Sequence, residues 1–365
     1  MRAHWRFFAV VLAALVVSGA AFGLLTDTPA EIRLREQLGL DAPCLAETEE
    51  SPGWREEGPL PAKRDELRAA ALDGSIYLAG GTVRLLEYGK PSPIPGVREQ
   101  VRAQSVDTLW RFDPGSGRYT RLAPMPERLN HHSMVAWGGK IYVVGGMGDL
   151  LFGADVRNAM FVYDPQTDRW SELPSMPTPR GAAASAVIGD TLYVAGGMTR
   201  NGRLSNVLEA FDFRTEEWRR LADMPTPREH MIGAAVDGSF YVAGGRTLTS
   251  DSIDAFERYD PTADRWTRVA RMPQDAGSLE AASVDGYFLA VAGDDDREGW
   301  VTGAIQRYDP RTNEWTQLPE MRTKRHGMAA AVAGGRLWVF GGSPCARFAA
   351  TDIVESFDAS LVASS

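Results

Sequence analysis

Short apolar runs separated by turn residues recur along most of the chain. One set is Ala183–Ile188, Thr191–Ala195, Val207–Asp212 and Trp218–Leu221. Runs this short, bounded by Gly, Pro, Asp and Asn, read as β-strands rather than helices. The second run of each set ends in a Gly pair: Gly80-Gly81, Gly145-Gly146, Gly196-Gly197, Gly244-Gly245 and Gly341-Gly342, with Gly293-Asp294 read as a damaged copy. Their first positions lie 65, 51, 48, 49 and 48 residues apart. An aromatic-Asp dipeptide follows five of them, at Phe112-Asp113, Tyr163-Asp164, Phe211-Asp212, Tyr259-Asp260 and Tyr308-Asp309. Six residues beyond each Asp stands a large aromatic: Tyr119, Trp170, Trp218, Trp266 or Trp315. Four strands per unit and six units predict an all-β, six-bladed β-propeller, with the aromatics packed between the sheets.

The same spacing predicts how the ring closes. From the large aromatic to the next Gly pair is 26 residues in four units and 27 in the fifth. Trp54 precedes Gly80 by 26 as well, although no earlier unit owns it. The last unit ends before an outer strand can form. Trp54–Leu60 is therefore expected to supply that strand beside Thr351–Asp358, which removes an open sheet edge. Two extra lengths are expected as loops between second and third strands on one face: Leu85–Val106, and the region of Gly148–Asp155. Long loops on a rigid scaffold commonly carry binding.

Gly-Gly, Tyr-Asp, Trp and turns such as Met176–Arg180 and Met224–Arg228 recur in fixed order. In this the chain resembles the Kelch-repeat propellers, from Trp54 to about Asp358. The resemblance implies a propeller scaffold used for binding, as in bacterial extracytoplasmic Kelch proteins. Some propellers of this kind are copper radical oxidases, a chemistry that needs a Cys crosslinked to Tyr and two His. Cys44 in the stalk and Cys345 in an outer loop do not supply it, and no metal or cofactor is expected. Others are sialic acid mutarotases, and Glu66, Glu229, His230 and Arg246 could mimic such acid–base groups, though no motif transfers residue by residue.

The N-terminus changes the picture. Arg2 and Arg6 precede Phe7–Leu25, nineteen residues without a charge. A spanning helix needs about 20 apolar residues, so residues 1–25 read as a signal anchor. Ser18-Gly19-Ala20 offers the alternative of a cleaved signal peptide. Either places the rest of the chain outside the cytoplasm, membrane-tethered or secreted. Residues 26–53 read as a stalk with a short helix, 54–358 as the propeller and 359–365 as a C-terminal tail. In an oxidising compartment the two cysteines, Cys44 and Cys345, are expected to pair and staple the seam. Non-reducing peptide mapping checks this, and two freely alkylated thiols would contradict it.

Composition adds mainly exclusions. At 44% hydrophobic and 24% charged the chain is an ordinary globular protein. A net charge of -9 without a basic cluster excludes a nucleic-acid binder, which needs a basic face. No nucleophile elbow, phosphate loop or HExxH stretch occurs. In four units an Arg (Arg64, Arg180, Arg228, Arg325) stands 16 residues before the Gly pair, in a slot expected to face the central mouth. The neighbouring positions include Glu66, Asn130, His131, His132, Glu229, His230 and His326, and Arg246 follows a Gly pair. These are the candidate ligand-binding residues: Arg as a fork donor, His and Glu as hydrogen-bond partners for anionic or hydroxyl groups. The same residues could instead be ordinary turn and strand-start residues. The expected partner is a protein or a carbohydrate, bound without turnover, with sugar-processing chemistry as the rival.

Overall fold

The second strand of every unit is apolar along its length because neighbouring blades cover both of its faces. Ile76, Leu78, Ile141, Val143, Leu192, Phe240, Val242, Leu289, Leu337 and Val339 are all fully buried. Outer strands such as Arg118–Arg121 and Arg265–Arg268 are mostly exposed and carry the charge. In the computed structural model, which describes residues 48–85, 102–149, 155–249, 251–295, 298–345 and 349–364, these strands form six four-stranded antiparallel sheets. Blade 3 is typical, with strands Ala184–Ile188, Thr191–Ala195, Leu208–Asp212 and Glu217–Arg220. The leader, most of the stalk and Cys44 lie outside the described residues. Among those described, no helix is long and apolar enough to cross a membrane.

The ring closes through its N-terminal strand. Trp54–Glu56 pairs antiparallel with Val354–Asp358, placing Trp54 opposite Phe357 as Trp218 stands opposite Phe211. The indoles explain why the spacing was so regular. Trp170, Trp218, Trp266 and Trp315 each donate their Nε1–H to a carbonyl of the preceding blade, at 2.8–3.0 Å. Trp54 makes the same bond to Pro319 at 3.0 Å. Within the stalk, Thr48 bridges to Thr323 of blade 6, ahead of the strand that begins at Trp54. The tail forms a short helix, Ser360–Ser364, whose Val362 is fully buried.

Blade 5 corrects the repeat register. Both members of each Gly pair are left-handed; Gly145 and Gly146, for instance, have φ of 64° and 100°. In blade 5 the left-handed residues are Ala292 (φ 54°) and Gly293 (φ 118°), so the pair is Ala292-Gly293 and not Gly293-Asp294. The interval from Trp266 is then 26, as elsewhere. The first Gly exists for close approach: a Cβ at Gly145 would lie 2.5 Å from the Arg180 carbonyl. Ala292 carries that methyl, and the adjoining bond from Gly293 N–H to Arg325 O is 3.2 Å, against 2.8–2.9 Å at the equivalent bonds in the other five blades. The strands beyond it, Tyr287–Asp295 and Trp300–Asp309, run on as one long hairpin with an irregularity at Val291/Gly293.

Candidate functional site

Fourteen residues before each pair stands another left-handed residue: Glu66, His131, Ala182, His230, Ser278 and Gly327, with φ of 48–60°. Non-glycine residues seldom hold this conformation, which costs of order 1–2 kcal/mol each. The offset is visible in the backbone. Each N–H donates to the carbonyl of its counterpart in the preceding blade, from His131 to Glu66, Ala182 to His131, His230 to Ala182, Ser278 to His230, Gly327 to Ser278 and Glu66 to Gly327, at 2.6–3.4 Å. Six blades are thus stitched into a closed hydrogen-bonded ring. The chain leaves each second strand beside this ring, because each residue just before a ring position bridges to one just after a Gly pair, as in Asn130 with Met147 and Glu229 with Arg246.

Glu66, His131 and His230 project from three ring positions and converge. His131 Nε2 lies 3.1 Å from Glu66 Oε2 and 2.8 Å from His230 Nε2. The remaining imidazole nitrogens face outward to fixed partners. His230 Nδ1 meets the Glu229 carboxylate, and His131 Nδ1 meets Asn130 Oδ1. Asn130 is itself fixed, since its Nδ2 donates to Ser105 Oγ at 2.7 Å and to Gly148 O at 3.1 Å. Ser105 and Gly148 are the roots of the two inserted loops, tied to each other by a 2.7 Å bond. Burial on its own would raise the Glu66 carboxyl, but the positive charges facing it, from His230 and Arg68, hold it below the usual carboxylate range. Burial pushes His131 down to about 3. His230 moves up, because the Glu229 carboxylate outweighs the cost of burial.

The other expected residues fall into three places. His326 and Arg246 stand beside this cluster around Asp294. Arg246 binds Asp294 and donates to Ser278 Oγ at 2.9 Å, while His326 lies 3.4 Å from Asp294 and 2.8 Å from the Cys345 carbonyl. His132 does not join the other imidazoles. Its ring packs toward Gly80, between blades, and neither nitrogen has a hydrogen-bond partner among the described residues. The Arg slot does not face the mouth. Arg180, Arg228 and Arg325 are fully buried and pair with Glu209, Glu257 and Glu355 on the third strand of their own blades, at 2.6–3.0 Å. Arg64 instead stacks over Trp110, 4.9 Å from the ring centroid. Backbone geometry explains the difference: the Arg precedes the left-handed turn by two residues, and its side chain runs back into the blade.

A cavity of about 110 Å³ is lined by innermost-strand residues, among them Arg68, His132, Ala183, Ile232, Glu280 and Ala330. Arg68 and Glu280, which sequence reasoning missed, form an ion pair within it. Burial pushes the Glu280 carboxyl up to about 7 despite Arg68, and Glu66 adds to the push. A folded-state value above the unfolded 4.5 means stability present below pH 4.5 and lost as pH rises through 7. Glu280→Gln is therefore expected to gain on the native protein by roughly 2–3 kcal/mol between pH 4.5 and 8, measured by urea unfolding. Parallel stability curves over that window would contradict this.

Comparisons with known proteins agree with this architecture. A family model, the KLHDC2/KLHL20/DRC7 Kelch-repeats domain, matches residues 45–197 and 131–342. Kelch-like protein terF of Aspergillus terreus is 36% identical over 140 residues, 37% of this chain and 27% of that protein. F-box/kelch-repeat protein At1g22040 of Arabidopsis thaliana is 33% identical over 137 residues, 37% and 25% of the two chains. Beta-scruin of Limulus polyphemus is 30% identical over 146 residues, 40% and 14% of the two. The chain spans about a quarter or less of these relatives. The solved structure of YjhT superposes with a TM-score of 0.65 at 16% identity, covering 81% of this chain and 95% of that one, a likeness of fold.

Proposed function

The chain belongs to the Kelch-repeat family of β-propellers, and on that premise we propose that it is a recognition module that binds its ligand at the central mouth and the inserted loops, without turnover. One observation carries this: Asn130 ties Ser105 and Gly148, where both inserted loops are rooted, to His131 of the polar cluster. The ligand is a carbohydrate or polar protein segment rich in hydroxyl or carboxylate groups, which match the imidazoles, carboxylates and Arg246 around the opening. The charged, apolar leader makes the module exported, anchored or secreted, and Cys44 pairs with Cys345 there. Saturation-transfer NMR against a panel of neutral and acidic sugars tests the reading. Binding is expected to fall at least about tenfold in Glu66→Ala and His230→Ala, with unfolding curves checking that each variant still unfolds cooperatively. Undiminished binding in both variants would remove the mouth from the account.

A second reading is favoured by one feature, the carboxylate-oriented imidazole formed by Glu229 and His230. Such a pair suits proton transfer to a sugar ring oxygen or anomeric hydroxyl. Anomer exchange of the bound sugar, followed by NMR, separates the two. Exchange accelerated by the native protein and not by His230→Ala would establish the enzyme.

A further inference from the structure

We propose that Glu66, His131 and His230 hold a single divalent transition-metal ion of the zinc class at the mouth of the propeller. The inference deepens the reading of the mouth as the binding site and rests on it. One donor atom from each residue lies within 4.8 Å of the other two. Two imidazoles and a carboxylate are a donor set suited to such ions, and a three-ligand site leaves an open position for water or a ligand oxygen.

Hydrogen bonding supplies an independent argument. Asn130 Oδ1 can only accept, because the amide nitrogen is committed to Ser105 and Gly148. His131 must therefore donate from Nδ1. The Glu229 carboxylate likewise takes the Nδ1 proton of His230. Each ring then has only its Nε2 left to offer, and the two nitrogens face the same point, 2.8 Å apart, with the Glu66 oxygen 3.1 Å from one of them. Lone pairs so placed repel unless a cation lies between them. A proton can bridge only one pair of atoms, whereas a metal ion engages all three donors at once. Orienting a ligand imidazole through its other nitrogen to a carboxylate or amide oxygen is the usual outer support of a metal ligand. Metal–nitrogen distances of about 2.0–2.1 Å require donors about 3.3 Å apart, an opening of roughly half an ångström. His230 is the partly exposed member and marks the way in.

Binding displaces the bridging proton to solvent. The test uses the full-length untagged chain in mild detergent, stripped with chelator and titrated with cobalt(II), then zinc(II). The expected result is one cobalt per chain, with the strong visible absorption of a four-coordinate site, erased by zinc. His131→Ala and His230→Ala should abolish it. Asn130→Ala and Glu229→Gln, which leave all three ligands in place, should weaken affinity about 10–100-fold. Absence of the absorption, or its persistence in His230→Ala, would overturn the proposal. Sugar binding lost in His230→Ala while the native chain takes up no cobalt would overturn the metal and leave the mouth reading standing. A cobalt signature without binding of any sugar or partner would do the reverse.

Discussion

Arg228→Met is expected to cost about 3–5 kcal/mol, because it leaves the buried Glu257 carboxylate with only the exposed Arg268, 3.8 Å away, as a cation. The side chain of Arg228 is wholly buried and that of Glu257 is 1% exposed, with 2.6 Å between the charged atoms. Thr226 Oγ1 donates to the same carboxylate at 2.7 Å, and Arg228 Nη2 donates to the Val242 carbonyl at 3.1 Å. A double change, Arg228→Met with Glu257→Leu, should recover much of the loss, since a well-packed apolar pair often replaces a buried ion pair at little cost. Arg220→Ala, at the exposed pair with Asp223, is the control and should cost within about 1 kcal/mol. Urea unfolding of the four proteins decides, and an Arg228→Met loss no larger than the control would contradict the assignment.

Deleting residues 1–60 is expected to turn a monodisperse propeller into an aggregating one. The deletion strips Val354–Asp358 of its outer partner and leaves a five-residue edge with unpaired backbone groups. It also removes the indole that bonds to Pro319 and packs at a tilt against the Phe357 ring, 5.3 Å between centroids. Trp54→Ala alone should cost about 3–5 kcal/mol as a buried aromatic truncation. Trp54→Phe keeps an aromatic ring against Phe357 and should cost nearer 1 kcal/mol for the lost hydrogen bond. Light scattering after gel filtration, together with unfolding curves, reads the outcome. A soluble, fully cooperative truncation would show that the seam does not depend on this strand.

The fold was legible because blade packing is repeated chemistry. Each indole must reach the same carbonyl of the preceding blade, so each Trp keeps the same distance from its Gly pair. The register of blade 5 was misread although its 27-residue interval was one too long, because Gly293 drew the pair one residue along and a left-handed Ala292 has no sign of its own. The role of the Arg slot was present but unread. Arg180 and Arg228 lie 29 residues before Glu209 and Glu257, and Arg325 lies 30 before Glu355. Where the slot is Leu129, the matching position is Phe161, and where it is Arg64, the match is Trp110. Partners that change together mark a contact inside the blade. At the mouth, the residue types were legible and their grouping was not. His131 and His132 are adjacent, yet the left-handed turn at His131 sends one ring to the axis and the other between blades. Glu66, His131 and His230 lie 65 and 99 residues apart, so no local motif could announce a shared donor set.

Five histidines in the whole chain make the most direct measurement possible. With nitrogen-labelled histidine, long-range proton–nitrogen spectra resolve each imidazole during titration with a sugar from the panel that binds. The account predicts that the His131 and His230 resonances move together and saturate with the bound fraction, while His132 stays unmoved. Saturable binding that leaves both His131 and His230 unshifted would contradict it.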